Sequence, residues 1–150
     1  MPFQESMLQQ QATPIVEGLG FRVVELSIGV ANGRTQVALV IYRQNGVGID
    51  DCAQVHRTLL PRLELLMSNR DVALQVMSPG IDRVFKDWTE FGVFVGRGVT
   101  VLLRDDEAWI SGVISRATDS EVELTGADGA RVVPYSDIQK ARLDYSQEVR

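Results

Sequence analysis

The sequence predicts a two-part chain: an α+β N-terminal domain of order helix-hairpin-helix-strand over residues 1–83, then a short helix and an all-β SH3-like small barrel over residues 84–150. Three observations predict it. Up to Met77 helical and strand-like apolar patterns alternate, as in a layer pair of helices on a sheet. Beyond Phe91 come short strand signals broken by turn residues, with a one-turn helix before the last, a spacing typical of small barrels. Between the two regions, Pro79-Gly80 ends a strand pattern that it cannot extend.

In chain order, Phe3, Met7, Leu8, Ile15 and Leu19 recur at helical spacing, and Pro14 interrupts them. Proline fits a first helical position behind Thr13 but loses a hydrogen bond in mid-helix, so a bent helix or two short ones are expected, ending at Gly18 and Gly20. Phe21–Val30 and Thr35–Tyr42 form a hairpin about Asn32-Gly33, two residues that tolerate positive φ. Val24, Leu26, Ile28 and Val30 share one face of the first strand, and Val37, Leu39 and Ile41 one face of the second. Asp50 is the expected N-cap of the next helix, with Asp51 favoured by its dipole. Cys52, Val55, Leu59, Leu63 and Leu66 make its apolar stripe, and Pro61 kinks or divides it. Val72, Leu74 and Val76 alternate as a third strand.

After the turn, Asp87-Trp88-Thr89-Glu90 has the form of a capping box. The strand signals that follow are Val99–Arg104, Trp109–Arg116, Glu121–Thr125, Arg131–Pro134 and Gln139–Tyr145.

The formal charge of −5 and pI of about 4.9 exclude long, sequence-independent nucleic-acid binding, which needs a basic face. Of the 15 basic residues 13 are Arg, a residue suited to a few directed contacts. Cys52 is the single cysteine, so no internal disulfide forms and a reducing, cytoplasmic setting is expected. No leader or membrane-length apolar stretch is apparent.

Catalytic patterns are missing. Cys52 and His56 stand four apart on a helix, but no second Cys or His completes a zinc or catalytic set. Asp50-Asp51 continues into no calcium loop, and Asp105-Asp106-Glu107 reads as a solvated hairpin tip. Gly46-Val47-Gly48 lacks a P-loop's Lys-Ser/Thr, and Ser78-Pro79-Gly80 lacks the glycines of a nucleophile elbow. No catalytic residue, metal ligand or cofactor is expected. The candidate functional stretch is Ser78, Pro79, Gly80, Asp82 and Arg83, as a structural hinge, a partner contact, or both. Pro79 fixes φ, Gly80 can take positive φ, Asp82 can accept local amide hydrogen bonds, and Arg83 can pair with Asp82 or reach a phosphate.

Val76-Met77-Ser78-Pro79-Gly80-Ile81-Asp82-Arg83 resembles the V-S-S-P-G-L-D-R signature of the bacterial ribosome maturation factor RimP family. Pro14-Ile15-Val16-Glu17-Gly18-Leu19-Gly20-Phe21 resembles that family's P-x-x-E-x-L-G-[FY] opening, and Ile49-Asp50-Asp51-Cys52 its V-D-D-C helix start. Phe94-Val95-Gly96 with Val99-Thr100-Val101 is similar to the approach to its second domain, and Ile138-Gln139-Lys140-Ala141 to its I-x-K-A. The resemblance implies an α+β domain followed by an SH3-like barrel in a monomeric, non-enzymatic assembly factor. Its implied partners are the immature 30S subunit near the central pseudoknot, small-subunit rRNA, and a basic, late-joining ribosomal protein. The sequence departs from the family at Val84-Phe85, where Pro-Leu is usual and the turn exit is expected to loosen, at Gln75 for Glu, and at Arg43 for Asp. A rival reading is a protein-binding adaptor whose barrel grips a ribosomal protein without touching RNA. A small hydrolase or metal-dependent enzyme is a third, for which ligand and nucleophile sets are wanting.

Overall fold

Leu8, Ala12 and Val16 recur every four residues and are all buried, which is the periodicity of one helix face. The computed structural model describes residues 2–68, 71–105 and 107–148, with side chains described for all of these except 2–4 and 31. Phe3 and Asp106 therefore lie, in whole or in side chain, outside the described residues. The chain divides into two compact units, Met1–Pro79 and Gly80–Arg150.

The first unit is one helix, α1 (Pro2–Gly18), a hairpin β1 (Arg22–Ala31) and β2 (Arg34–Tyr42), a second helix α2 (Ile49–Leu66) and β3 (Val72–Met77). The sheet order is β1-β2-β3, antiparallel in the hairpin and parallel between β2 and β3. Helix α1 runs through Pro14 as a single element, not as two short ones. Ala12 and Val16 flank the proline at 0% exposure, so packing of that face outweighs one lost hydrogen bond. Pro61 likewise does not divide α2, since Leu59 and Leu63 on either side are fully buried. The first helix ends in a Schellman motif: Gly20 at φ +97 donates its N–H to Glu17 O, and Phe21 N–H donates to Val16 O. Asn32 and Gly33, at φ +53 and +78, turn the hairpin as expected.

Two local expectations are corrected. The N-cap of α2 is Gly48, not Asp50; the Asp51 carboxylate accepts the Gly48 N–H at 2.9 Å, which draws the helix start back by two residues. A register shift between Val23 and Glu25 moves Val24 off the core face of β1, leaving Phe21, Val23, Leu26 and Ile28 against the helices. Val30 is 76% exposed. Met7, one of the apolar residues at helical spacing, is also exposed. Arg43 secures the loop before α2, since its guanidinium lies 4.6 Å from the Phe21 ring centre, donates to Gly46 O, and pairs with Asp51 at 3.0 Å.

The second unit has a short helix α3 (Glu90–Val93) and β4 (Gly98–Leu103), β5 (Trp109–Ala117), β6 (Glu121–Gly126), β7 (Gly129–Pro134) and β8 (Ile138–Leu143), with a 3-10 turn Tyr135–Asp137 before β8. Its all-β character agrees with the sequence, but the expected SH3-like barrel is not formed. The strands make an open antiparallel sheet of order β7-β6-β5-β4-β8, and among the described residues no ladder joins β7 to β8. The reason lies at the edge of β8. Phe85 N–H donates to Ala141 O, Leu143 N–H donates to Arg83 O, and Val84 bridges Arg142. The outer hydrogen-bonding groups of β8 are thus satisfied by residues 83–85 and are not offered for closure.

The chain's end straps the start of β4. Arg97 Nε and the Gly98 N–H both donate to Glu148 Oε2 at 2.9 Å. Asp144 accepts from Ser146 Oγ, at 2.5 Å, from Thr100 Oγ1, at 2.6 Å, and from Gln147 Nε2 and the Ser146 N–H. These bonds, led by Ser146 and then Thr100, hold its carboxyl down to about 2.

Candidate functional site

Strand β3 ends at Met77, and Ser78 and Pro79 carry the chain into a β-turn, Gly80–Arg83, closed by Arg83 N–H donating to Gly80 O at 3.1 Å. Gly80 is not among the glycines with positive φ, and a Cβ there would meet only Asp82 Oδ1, at 3.6 Å. The turn therefore does not require glycine. Ser78, Gly80 and Asp82 are exposed, as is Ile81, at 76%. Among the described residues the Asp82 carboxylate has no hydrogen-bond or ion-pair partner.

Arg83 faces inward. Its Nε donates to Glu90 Oε1 at 2.7 Å and its Nη2 to Glu90 Oε2 at 3.1 Å, with side-chain exposures of 10% and 2%. The same Oε2 accepts the N–H groups of Lys86 and Asp87, at 3.0 and 3.3 Å. Two backbone donors and a guanidinium fork thus satisfy one buried carboxylate, the condition under which such burial is tolerable. The expected capping box forms only in part: the Glu90 carboxylate accepts the Asp87 N–H, but Asp87 Oδ1 accepts the Thr89 N–H at 2.8 Å, and the residue before α3 is Thr89, with no side-chain cap bond.

The departure at Val84-Phe85 does not loosen the exit from the turn. Val84 is bridged to β8, and Phe85, 6% exposed, packs edge-on to Phe91 at 4.8 Å and stacked on Phe94 at 5.4 Å. Backbone pairing and an aromatic core hold this exit in place of a proline ring.

Cys52 and His56 lie on α2. Burial, and secondarily Asp51, push the Cys52 thiol up, which makes a poor nucleophile. His56 is one helical turn away and half-buried. Among the described residues no group of three or more His, Cys, Asp or Glu could hold a metal ion. No helix among them is long and apolar enough to cross a membrane.

The sequence left Arg83 to pair with Asp82 or to reach a phosphate; in the structure it does not pair with Asp82, which is exposed, but turns inward to Glu90. Sequence reasoning missed the Arg83–Glu90 pair because Glu90 was already explained by its cap. The available signal was a carboxylate followed at once by Phe91 and preceded by Phe85 and Trp88, a setting apolar enough to demand a cationic partner.

Residues 11–82 match a family model described as the RimP N-terminal domain. The chain is 28% identical over 130 residues to the ribosome maturation factor RimP of Borrelia turicatae (strain 91E135), which covers 86% of this chain and 88% of that protein. It is 29% identical over 130 residues to the ribosome maturation factor RimP of Borrelia hermsii (strain HS1 / DAH), with the same coverage.

Proposed function

We propose, from the premise that this chain belongs to the RimP family, that it is a ribosome maturation factor: an assembly protein, not an enzyme. The observation that carries this is the similarity along 86% of the chain to proteins of that name. More specifically, the protein binds the immature 30S subunit near the central pseudoknot of small-subunit rRNA and aids entry of a late-joining, basic ribosomal protein. It acts as a cytoplasmic monomer and needs no cofactor. Maturation by binding requires different affinities for immature and mature particles, since a ligand shifts an equilibrium only by its differential affinity. A net charge of −5 supports partners that include basic proteins as well as RNA.

Ser78, Pro79, Gly80, Asp82 and Arg83 form the joint between the two units and a contact to the partner. What supports this is the division of labour in the turn: Arg83 fixes it through Glu90, while Asp82 is exposed and uncommitted. The test is sedimentation of the tagged chain from growing cells through a sucrose gradient. It should travel with free 30S particles or their precursors and little with 70S ribosomes; absence from all 30S fractions refutes the reading. Crosslinks to small-subunit rRNA in those fractions separate it from an adaptor that touches protein alone. Asp82→Ala should weaken particle association with the fold intact.

A further inference from the structure

Trp88 and Tyr135 lie ring beside ring in the second unit, 6.4 Å between centres and inclined by 26°. With them as its more buried wall, a cleft of about 380 Å³ opens between two chain segments, Asp87 to Thr89 on one side and Thr118-Asp119 on the other. Both segments are held by their own hydrogen bonds. The Asp87 carboxylate accepts the Thr89 N–H at 2.8 Å through one oxygen, Oδ1. Thr118 Oγ1 accepts the N–H groups of Ser120 and Glu121, and Tyr135 OH donates to Thr118 O at 2.7 Å. Asp119 stands near enough to Tyr135 that, after burial, its charge pushes the phenol upward. Among the described residues neither Asp87 nor Asp119 belongs to an ion pair.

Two uncompensated carboxylates beside aromatic faces repel phosphate and favour a cation. The surrounding unit adds to this, with 13 acidic and 9 basic residues between Gly80 and Arg150. Among cations, a guanidinium suits the site best. It is planar, so it can lie on a ring while its edge donates to carboxylates on either side, and it is more weakly hydrated than an ammonium. The volume is at the low end for a ligand pocket and leaves room for one planar side-chain head. We propose that this cleft binds an arginine side chain presented by a basic polypeptide. Such binding is independent of the ribosome-maturation reading, which stands or falls on sedimentation.

The experiment is an NMR titration of the full chain, following the indole N–H of Trp88, assigned against Trp109 with a Trp109→Phe variant. The probes are N-acetyl-arginine methylamide and its lysine and citrulline counterparts. Arginine should shift the Trp88 signal saturably, lysine should bind more weakly, and citrulline, which keeps the shape without the charge, should give no saturable shift. Asp119→Asn, and separately Asp87→Ser, which retains an acceptor for the Thr89 N–H, should each weaken arginine binding up to about five-fold in a chain whose spectrum stays dispersed. A flat arginine titration, equal binding of citrulline, or unchanged affinity in both folded variants overturns the assignment. So does uridine monophosphate moving the Trp88 signal more than arginine does, which would make the cleft a nucleotide site.

Discussion

Replacing Arg83 by alanine should destabilise the second unit by about 3 kcal/mol, the lower end of the range for breaking a buried ion pair. The magnitude follows from what remains around Glu90. Its carboxylate is 2% exposed and loses two charge-assisted hydrogen bonds, of 2.7 and 3.1 Å. It keeps only the Lys86 and Asp87 N–H groups, which places the cost below that of a wholly stranded charge. A unit of this size has a total stability of only about 4–10 kcal/mol, so the loss is a large share. Trp88 and Trp109 are the only tryptophans, and both lie in this unit. Urea unfolding followed by tryptophan fluorescence therefore reads the second unit alone. With a slope of about 1–1.5 kcal/mol/M the midpoint should fall by about 2–3 M. Arg83→Lys, which keeps the charge but not the fork, should fall between. A loss below about 1 kcal/mol, the level of a surface salt bridge, would refute the argument. The result also governs how binding is read: weak particle association by Arg83→Ala reports the fold first, whereas Asp82→Ala, at an exposed and unpaired site, should change stability by no more than about 0.5 kcal/mol.

Gly98→Ala should destabilise the same unit by about 1–3 kcal/mol in the same assay, because its Cβ would meet Gln147 Cβ at 2.8 Å and the backbone oxygen of Asp144. Asp144, held at about 2 against an ordinary 3.8, contributes stability that is fully present above 3.8 and lost as pH falls through 2. After allowance for solvent screening that contribution is about 1 kcal/mol, so the stability difference from Asp144→Asn should be constant above about pH 5 and shrink on acidification. Gly80→Ala should be neutral or stabilising by about 0.4–1 kcal/mol, since φ there is not positive and the new Cβ would make only an ordinary contact, with Asp82 Oδ1 at 3.6 Å.

What was legible in the sequence was carried by short-range signals. The Asn32-Gly33 turn, the alternating Val72–Met77 and the Val55, Leu59, Leu63 stripe are each decided within a few residues, and each stands where its pattern put it. What was not legible depended on partners distant in the chain. Pro14 is carried within α1 because Ala12 and Val16 are buried in the core shared with α2 and the sheet. The barrel failed to close because residues 83–85 reach a strand more than fifty positions later, and strand spacing says nothing about which edge is already taken. At the joint, composition identified the stretch but could not tell which of two adjacent charges turns inward. That was decided by Glu90, seven residues on.

The division between Asp82 and Arg83 also bears on how a turn can serve as a contact. A loop that touches a partner loses less entropy on binding if its backbone is already ordered. Here the order comes from below the surface: the Arg83–Glu90 fork, the two backbone links to β8 and the burial of Phe85 fix the turn from its C-terminal side. None of these uses Ser78, Ile81 or Asp82, whose side chains are left outward and unspent. Val84-Phe85 fits the same scheme, because a phenylalanine packed edge-on to Phe91 and stacked on Phe94 supplies through packing the restraint that a proline would supply through its ring. Substitutions on the buried side of the turn should therefore act through stability, and those on its exposed side through binding.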